Sequence, residues 1–555
     1  MRIAQSLLLT LLLALAPVAL RAEEAPASPD APTAQLPKSC DLCVRLPALD
    51  RIDQLAKDMA LVLELFGGDE VKAMLAQGAP SEMLLGMFGI DGTLVDRARA
   101  VYFGTLADDP IVLIPAAAGA TLATPLDLGD GHTVTLADGL LTATRPALRE
   151  AERRGAPAAM LGGDFSVHVF VSDITERHKE EIEKGFAQMQ AMAGGVPIPG
   201  GAEIMQAMFG LFKGGLYAVE SLDYALTWQG EGAVGEGQLG FKEGSGLRKF
   251  FARAGAPSDP SLAGLLPKNA LFYADTATAA DWPTKELTEF AAAHLGPKIG
   301  GMIQQSMALS QALQGATTGR TAMSFSMTGF FGVNASSVAE LREGVDASAM
   351  LRDFDAEKLS ESLKAAGVPV AVKLDKDVAK HGETSMHRWS FHSDDPSLAM
   401  LSMMQTYVAV EGRYLCTVNA MTGETDMREL LDRVRAGSDA AHPHLAAMAR
   451  LARGRNLGIT FNVGQLKSFG MLLGAMAPEA GQALAMLPDA LTLSTSITFH
   501  DGNIQWRGDW PLKEIGQIVE KMRAAFGERG GAEKPEKEEG EGCGCGCGEE
   551  EEDFK

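Results

Sequence analysis

Short runs in which apolar and polar residues alternate predict strands along much of the chain. Residues 323–327 read Met-Ser-Phe-Ser-Met, and this period of two is typical of a strand in a sheet with one covered face. Other segments have helical spacing: after the capping-box pattern of Asp173 and Glu176, apolar residues recur every three or four positions up to Met189. Together these patterns predict an α+β fold with largely antiparallel sheets and packed helices.

The order of predicted elements recurs in the two halves of the chain, which is the pattern expected of an internal duplication. Each copy has a strand, a helical stretch with an apolar, glycine-containing part, two strands around a turn, and a terminal helix. We therefore predict two related α+β lobes. The matched segments are 165–251 with 457–522, 133–148 with 406–430, and Leu226-Thr227-Trp228 with Ile497-Thr498-Phe499.

Gly, Pro, Ser and Asp cluster between the two copies and indicate a linker there. A Pro-, Ala- and acid-rich stretch near the start and a Glu-rich stretch at the end have no apolar period, so both are expected to be disordered. The predicted segments are a signal peptide (1–22), a disordered leader (23–38), a first lobe (39–254), a linker (255–265), a second lobe (266–528) and a disordered acidic tail (529–555).

The first 22 residues have the parts of a cleavable secretion signal. Arg2 is followed by an apolar run over residues 6–20 and by Ala22, a small residue that suits cleavage before Glu23. We therefore expect export to the periplasm, the cell surface or the medium. No later run is apolar over the length that a membrane-spanning helix needs, so we expect no membrane span after cleavage.

The chain is acidic, with a formal net charge of -23 and a pI near 4.9. Phosphate binding needs clustered Lys and Arg, and the sequence contains no basic run. We therefore expect no nucleic-acid partner, and binding to anionic membrane surfaces is disfavoured for the same reason. Solubility is the simpler interpretation of the acidity.

Motifs for catalysis are missing from the sequence. It contains no G-x-S-x-G string, no H-E-x-x-H string and no P-loop. His381, His387 and His392 lie close in sequence, but strand alternation places His387 and His392 on opposite faces. The sequence His442-Pro-His444 indicates a loop or a helix start. We assign no catalytic residue and expect a protein that is not an enzyme.

The six cysteines fall in three places, and exported thiols usually oxidise. Cys40 and Cys43 have the spacing of a redox motif but follow the leader rather than a strand, so we favour a structural disulfide, with metal ligation or thiol exchange as alternatives. The partner of Cys416 is left open.

Three cysteines alternate with glycine near the end of the chain, at Cys543, Cys545 and Cys547. Such mobile sulfurs can wrap a soft ion, Cu or Zn. Covalent or redox linkage to another envelope component and the absence of any role are the alternatives.

The chain resembles uncharacterised exported bacterial proteins of unknown function with paired α+β lobes. The resemblance lies in Leu46-Pro47 and Leu266–Tyr273, near the starts of the two predicted lobes, and in residues 109–115. This loose resemblance implies an envelope setting and transfers no catalytic residue. The cysteine pattern is not part of it.

Three functional hypotheses follow. The first is a non-catalytic envelope or secreted protein that binds an apolar ligand or an envelope protein through its cleft and Met-rich helices. The second is a thiol or soft-metal module that acts through the terminal cysteines. The third is a hydrolase without a recognisable motif, which would need carboxylates or histidines gathered in one cleft. We rank them in this order.

Overall fold

The protein is described by a computed structural model. The signal peptide, residues 23–31 of the predicted leader and the terminal tail lie outside the described residues, so the predictions about them stay predictions. Residues 32–38 of the predicted leader are described, and Leu36 is fully buried there. The described residues are 32–38, 40–58, 78–106, 109–129, 131–145, 151–152, 160–193, 210, 212–229, 232–258, 262–280, 282, 315–328, 332–365, 371–392, 405–451, 454–467, 478–489 and 491–526.

Strands take up more of the described chain than helices do, as the alternating runs predict. The strands are β1 (Leu42–Ala48), β2 (Ala100–Leu106), β3 (Asp109–Pro115), β4 (Leu126–Gly129), β5 (His132–Ala137), β6 (Leu140–Thr144), β7 (Phe165–Val169), β8 (Val219–Gln229), β9 (Gly232–Phe241), β10 (Phe272–Ala277), β11 (Thr317–Thr328), β12 (Gly332–Leu341), β13 (Ala371–His381), β14 (Thr384–His392), β15 (Gln405–Glu411), β16 (Tyr414–Ala420), β17 (Leu457–Asn462), β18 (Thr492–His500) and β19 (Asn503–Trp510).

Helices connect and cover the strands. They are α1 (Leu49–Asp58), α2 (Pro80–Met87), α3 (Val171–Arg177), α4 (Lys179–Ala193), α5 (Gly246–Ala252), α6 (Ala347–Asp353), α7 (Ala356–Ala365), α8 (Gly423–Ala436), α9 (Pro443–Leu451), α10 (Pro478–Ala485) and α11 (Leu512–Phe526), with short 3-10 helices at Pro32–Gln35, Gly92–Leu94, Leu262–Leu265 and Val463–Leu466. The helix predicted after Asp173 begins earlier, at Val171, and is divided at His178, which caps the end of α3.

The nineteen strands form one sheet, and every pairing between them is antiparallel, which confirms the predicted α+β class. From edge to edge their order is β4-β5-β6-β3-β2-β1-β7-β8-β9-β19-β18-β17-β10-β11-β12-β16-β15-β14-β13. The strand order outward from β9 is repeated outward from β19. The second half adds one strand, β13, at its outer edge.

The register of the pairings recurs together with the order. Phe165 lies opposite Leu226 in the first half, and Leu457 lies opposite Ile497 in the second. This is the correspondence that the sequence repeat predicts for Leu226 and Ile497. The two halves are joined within one sheet by the pairing of β9 with β19, so the repeat by itself does not divide the molecule into separate lobes.

The residue before β7 and the residue before β17 make equivalent hydrogen bonds to the neighbouring strand. Asp164 Oδ2 accepts the Trp228 backbone N–H at 3.2 Å, and Asn456 Oδ1 accepts the Phe499 backbone N–H at 2.8 Å. Asp164 and Asn456 occupy equivalent positions in the register described above, so the two halves hold these strand ends in the same way.

The sheet has two faces, which we call the covered face and the apolar face. On the covered face of the second half, Tyr273, Ala322 and Cys416 form a core with residues of α8. The apolar face is covered towards the two ends of the sheet, by Leu85 of α2 in the first half and by Leu351 of α6 in the second. Between these ends lie the strands next to the β9–β19 pairing, where Phe251 of α5 packs against Phe241 and Phe499.

Candidate functional site

The cysteines predicted as site residues are only partly within the described chain. Cys40 and Cys43 are fully buried, and Cys43 Sγ lies 3.8 Å from Met160 Sδ. Their disulfide stays a prediction, and Cys543, Cys545 and Cys547 lie outside the described residues. Within the part of the chain that is described, no three His, Cys, Asp or Glu side chains are placed to bind a metal ion.

Cys416 is a free thiol on β16 in the core of the second half. Burial raises its pKa to about 12, with a smaller contribution from the charge of Glu411. Because the thiolate is the reactive form of cysteine, this residue is a packing element at neutral pH.

The histidines of residues 381–392 do not converge. His381 Nε2 lies 2.6 Å from Asp432 on α8, whereas His387 is buried on β14 and accepts the Asp377 N–H at 3.3 Å through Nδ1. Burial lowers the pKa of His387, so its ring is neutral at pH 7. His392 is exposed at the end of β14.

A buried ionic network lies on the covered face where β10, β17 and α9 meet. Arg455 Nη2 donates to Asp275 Oδ2 at 2.8 Å, and His444 Nε2 lies 3.3 Å from Asp275 Oδ1. Burial raises the pKa of Asp275, but the His444 and Arg455 side chains outweigh it and hold the pKa below its usual value. Asp275 is therefore a carboxylate inside the fold.

Two hydroxyls extend this network. His444 Nδ1 lies 2.8 Å from Thr460 Oγ1, which lies 3.3 Å from Ser494 Oγ. A carboxylate, an imidazole and a hydroxyl in line are the components of a nucleophilic relay. These side chains are at most 3% exposed, however, so a substrate cannot reach either hydroxyl. The network holds α9 against the sheet instead. The sequence placed His444 at a helix start but gave no sign of Asp275 as its partner.

Near the β9–β19 pairing, which we call the junction, strands β17 and β18 reverse the usual distribution of polar and apolar side chains between the two faces of a sheet. Normally the covered side of a strand is apolar and the exposed side polar. In β17, Gly458, Thr460 and Asn462 are buried, while the apolar positions between them are only half-buried. Ser494 and Ser496 of β18 are likewise buried. The half-buried apolar residues of these two strands are Leu457, Ile459, Phe461, Leu493, Ile497 and Phe499.

The same apolar face continues onto the neighbouring strands. On β11, Met323 is 43% exposed and Phe325 and Met327 are half-buried, whereas Ser324 between them is buried. The register places Phe272 of β10 opposite Phe325, on the same face. The surface therefore crosses at least four adjacent strands.

At the β9–β19 pairing this face is formed by aromatic rings lying over glycines. A Cβ atom on Gly237 would overlap the ring of Trp506. One on Gly235 would lie 2.7 Å from Tyr224 Oη and 3.1 Å from Trp510 Nε1. The rings can lie this low only because the strand beneath them has no side chains at these positions.

Comparisons with known proteins assign no family. No protein-family model matches the chain, and no curated protein matches it. Among the solved structures that match is one described as crystal form I of TP0453, which aligns over 48% of this chain and 98% of its own length, with 10% identity and a TM-score of 0.22. A TM-score of this size does not establish a shared fold. In the described residues, no helix is long and apolar enough to cross a membrane.

Proposed function

We propose that this protein is a non-catalytic binding protein and that its ligand is the acyl chain of a lipid, held on the apolar face. The supporting observation is the reversed polarity of β17, β18 and β11. Apolar surface in contact with water costs about 25 cal/mol per Å², and contiguous exposed apolar patches usually mark binding sites. A ligand on this face would remove that cost.

The side chains of the face suit a flexible apolar chain. Met323 and Met327 are adaptable, and Phe461, Ile459 and Phe325 offer no hydrogen-bonding group. The net charge of -23 opposes adsorption to an anionic bilayer, which favours binding of single lipid molecules. Export, expected from the signal sequence, would place the protein where envelope lipids are found.

The first test is native mass spectrometry of the mature protein purified from its own cell envelope, with and without residues 529–555. A bound lipid that survives removal of the tail supports the proposal. A metal ion or thiol adduct that is lost with the tail would instead favour a site at Cys543, Cys545 and Cys547.

The second test measures binding of a fluorescent long-chain fatty acid to two matched variants. Met323→Glu on the apolar face should weaken binding at least tenfold, because a carboxylate would have to be buried against the chain. Met421→Glu is the control, since Met421 is 44% exposed but lies beyond the end of β16. Equal affinities of the two variants, or no binding by the parent protein, would contradict the proposal.

A further inference from the structure

A pseudo-twofold axis relates β9 to β19 where the two strands pair. Glu236 lies opposite Arg507, Gly237 opposite Trp506, and Gly235 opposite Gly508. The repeated register makes Glu236 equivalent to Arg507 and Gly237 equivalent to Gly508. The axis therefore passes between Glu236 and Arg507, which stand opposite each other as equivalent residues.

This position decides which strands can pair. Arg507 Nη1 and Glu236 Oε1 form an ion pair at 2.9 Å, with each side chain about one-third exposed. If β9 met β9 of a second copy in the same register, Glu236 would face Glu236. If β19 met β19, Arg507 would face Arg507. Like charges directly opposite in a sheet are destabilising, so only the unlike pairing has favourable electrostatics.

The packing above the strands also disfavours the β9–β9 pair. Trp506 lies over Gly237, where no larger residue fits. In a β9–β9 pair the equivalent positions would bring Gly235 opposite Gly237, and the Trp506 ring that lies over Gly237 would be missing. That pairing would lose the aromatic contact as well as the ion pair.

We propose that β9 and β19 form a selective pairing interface: each strand pairs with the unlike strand, in its own chain or in a second copy, and not with another copy of itself. The partner outside the chain that fits this interface is therefore a second copy with its halves exchanged. This inference does not depend on the proposed ligand.

The test uses charge reversal in the full mature chain. Glu236→Arg and Arg507→Glu each place like charges at the axis, whereas the double variant restores opposite charges. We expect each single variant to lower the folding equilibrium constant at least fivefold and the double variant to recover most of the loss, measured by urea denaturation. Single variants as stable as the parent, or a double variant as unstable as the singles, would overturn the proposal.

Co-refolding then examines pairing between copies. The Glu236→Arg and Arg507→Glu chains, tagged with different masses, are unfolded, mixed and refolded at low salt, and mixed and like dimers are counted by native mass spectrometry. We expect mixed dimers to exceed the statistical proportion roughly tenfold. A statistical proportion among the dimers would overturn selectivity between copies, and where monomers alone form, the urea measurements decide. The control reverses the charges of Arg145 and Asp109, an ion pair away from the axis that should give no enrichment.

Discussion

Asp275 shows what a single buried charge does in this fold. It is fully buried and lies against Arg455, from which it is separated by 180 residues of sequence. Removing one partner of such a pair leaves the other charge uncompensated, which typically costs about 3–5 kcal/mol. We expect Asp275→Ala to lose about this much stability in urea denaturation at pH 7, and Asp377→Asn, at an exposed position on β13, to change it by less than about 0.5 kcal/mol.

Asp275 should also make the stability of the protein depend on pH in the acid range. Because its pKa is lowered in the folded protein, the stability contributed by Asp275 is fully present above the ordinary value of 3.8 and is lost as the pH falls through the folded pKa. The Asp275→Ala variant should lack this part of the acid transition. An unchanged dependence below pH 4 would contradict the assignment.

The burial of His442 leads us to expect a second pH dependence of stability, at a higher pH than that of Asp275. Burial lowers its pKa to about 4. Its Nδ1 accepts the His444 N–H at 3.3 Å, and its Nε2 lies 3.3 Å from the Pro267 carbonyl, a pattern that fits a neutral ring. The unfolded chain binds a proton near pH 6.5, so this contribution is complete above pH 6.5 and is lost towards pH 4.

We therefore expect the unfolding free energy of the parent protein to fall by about 2 kcal/mol between pH 6.5 and pH 4 because of His442. A His442→Gln variant should show a flatter profile over this range in urea denaturation. His500→Gln, at an exposed position, is the control and should keep the parent slope. Identical slopes for all three proteins would refute the role of His442.

These residue-scale features could be predicted only in part. The sequence indicated a helix start at His442-Pro-His444, and α9 begins at Pro443. It could not indicate Asp275 or Arg455 as partners, because the sheet brings them together across most of the second half. Long-range pairs of this kind have no local sequence pattern.

Among the elements, β9 depends on glycine at the junction. Gly237→Ala would place a methyl group within the Trp506 ring, and overpacking of this kind typically costs about 1–3 kcal/mol. Gly86→Ala on α2 is the control, because its Cβ would meet nothing within 4 Å and alanine favours a helix by about 1 kcal/mol. Thermal denaturation should therefore shift in opposite directions for the two variants. A Gly237→Ala protein as stable as the parent would contradict this packing.

Alternation predicted the strands well but could not show which face is covered. Residues 323–327 do form part of β11, with Ser324 facing opposite to Met323. The usual rule would bury the methionines. Here helices from distant parts of the chain cover the serine side, and that choice is not encoded within β11 itself.

For the whole molecule, the repeat was visible in the sequence, but the single sheet was not. The correspondence of Leu226 with Ile497 recurs in the observed register, because local alternation and turns set both. The pairing of β9 with β19 joins strands more than 260 residues apart. Within the predicted linker, Leu262–Leu265 is a buried 3-10 helix in the core of the second half. The division into two lobes stays a prediction.

A sheet of this width cannot be flat. Neighbouring strands rotate by roughly 20° relative to each other, so the eighteen steps from β4 to β13 add up to about one full turn of twist. The direction in which the apolar face points therefore changes continuously along the strand order. A rigid, planar partner could touch only a few strands near the junction. A flexible chain, in contrast, can bend with the twist and keep its contacts over a longer path.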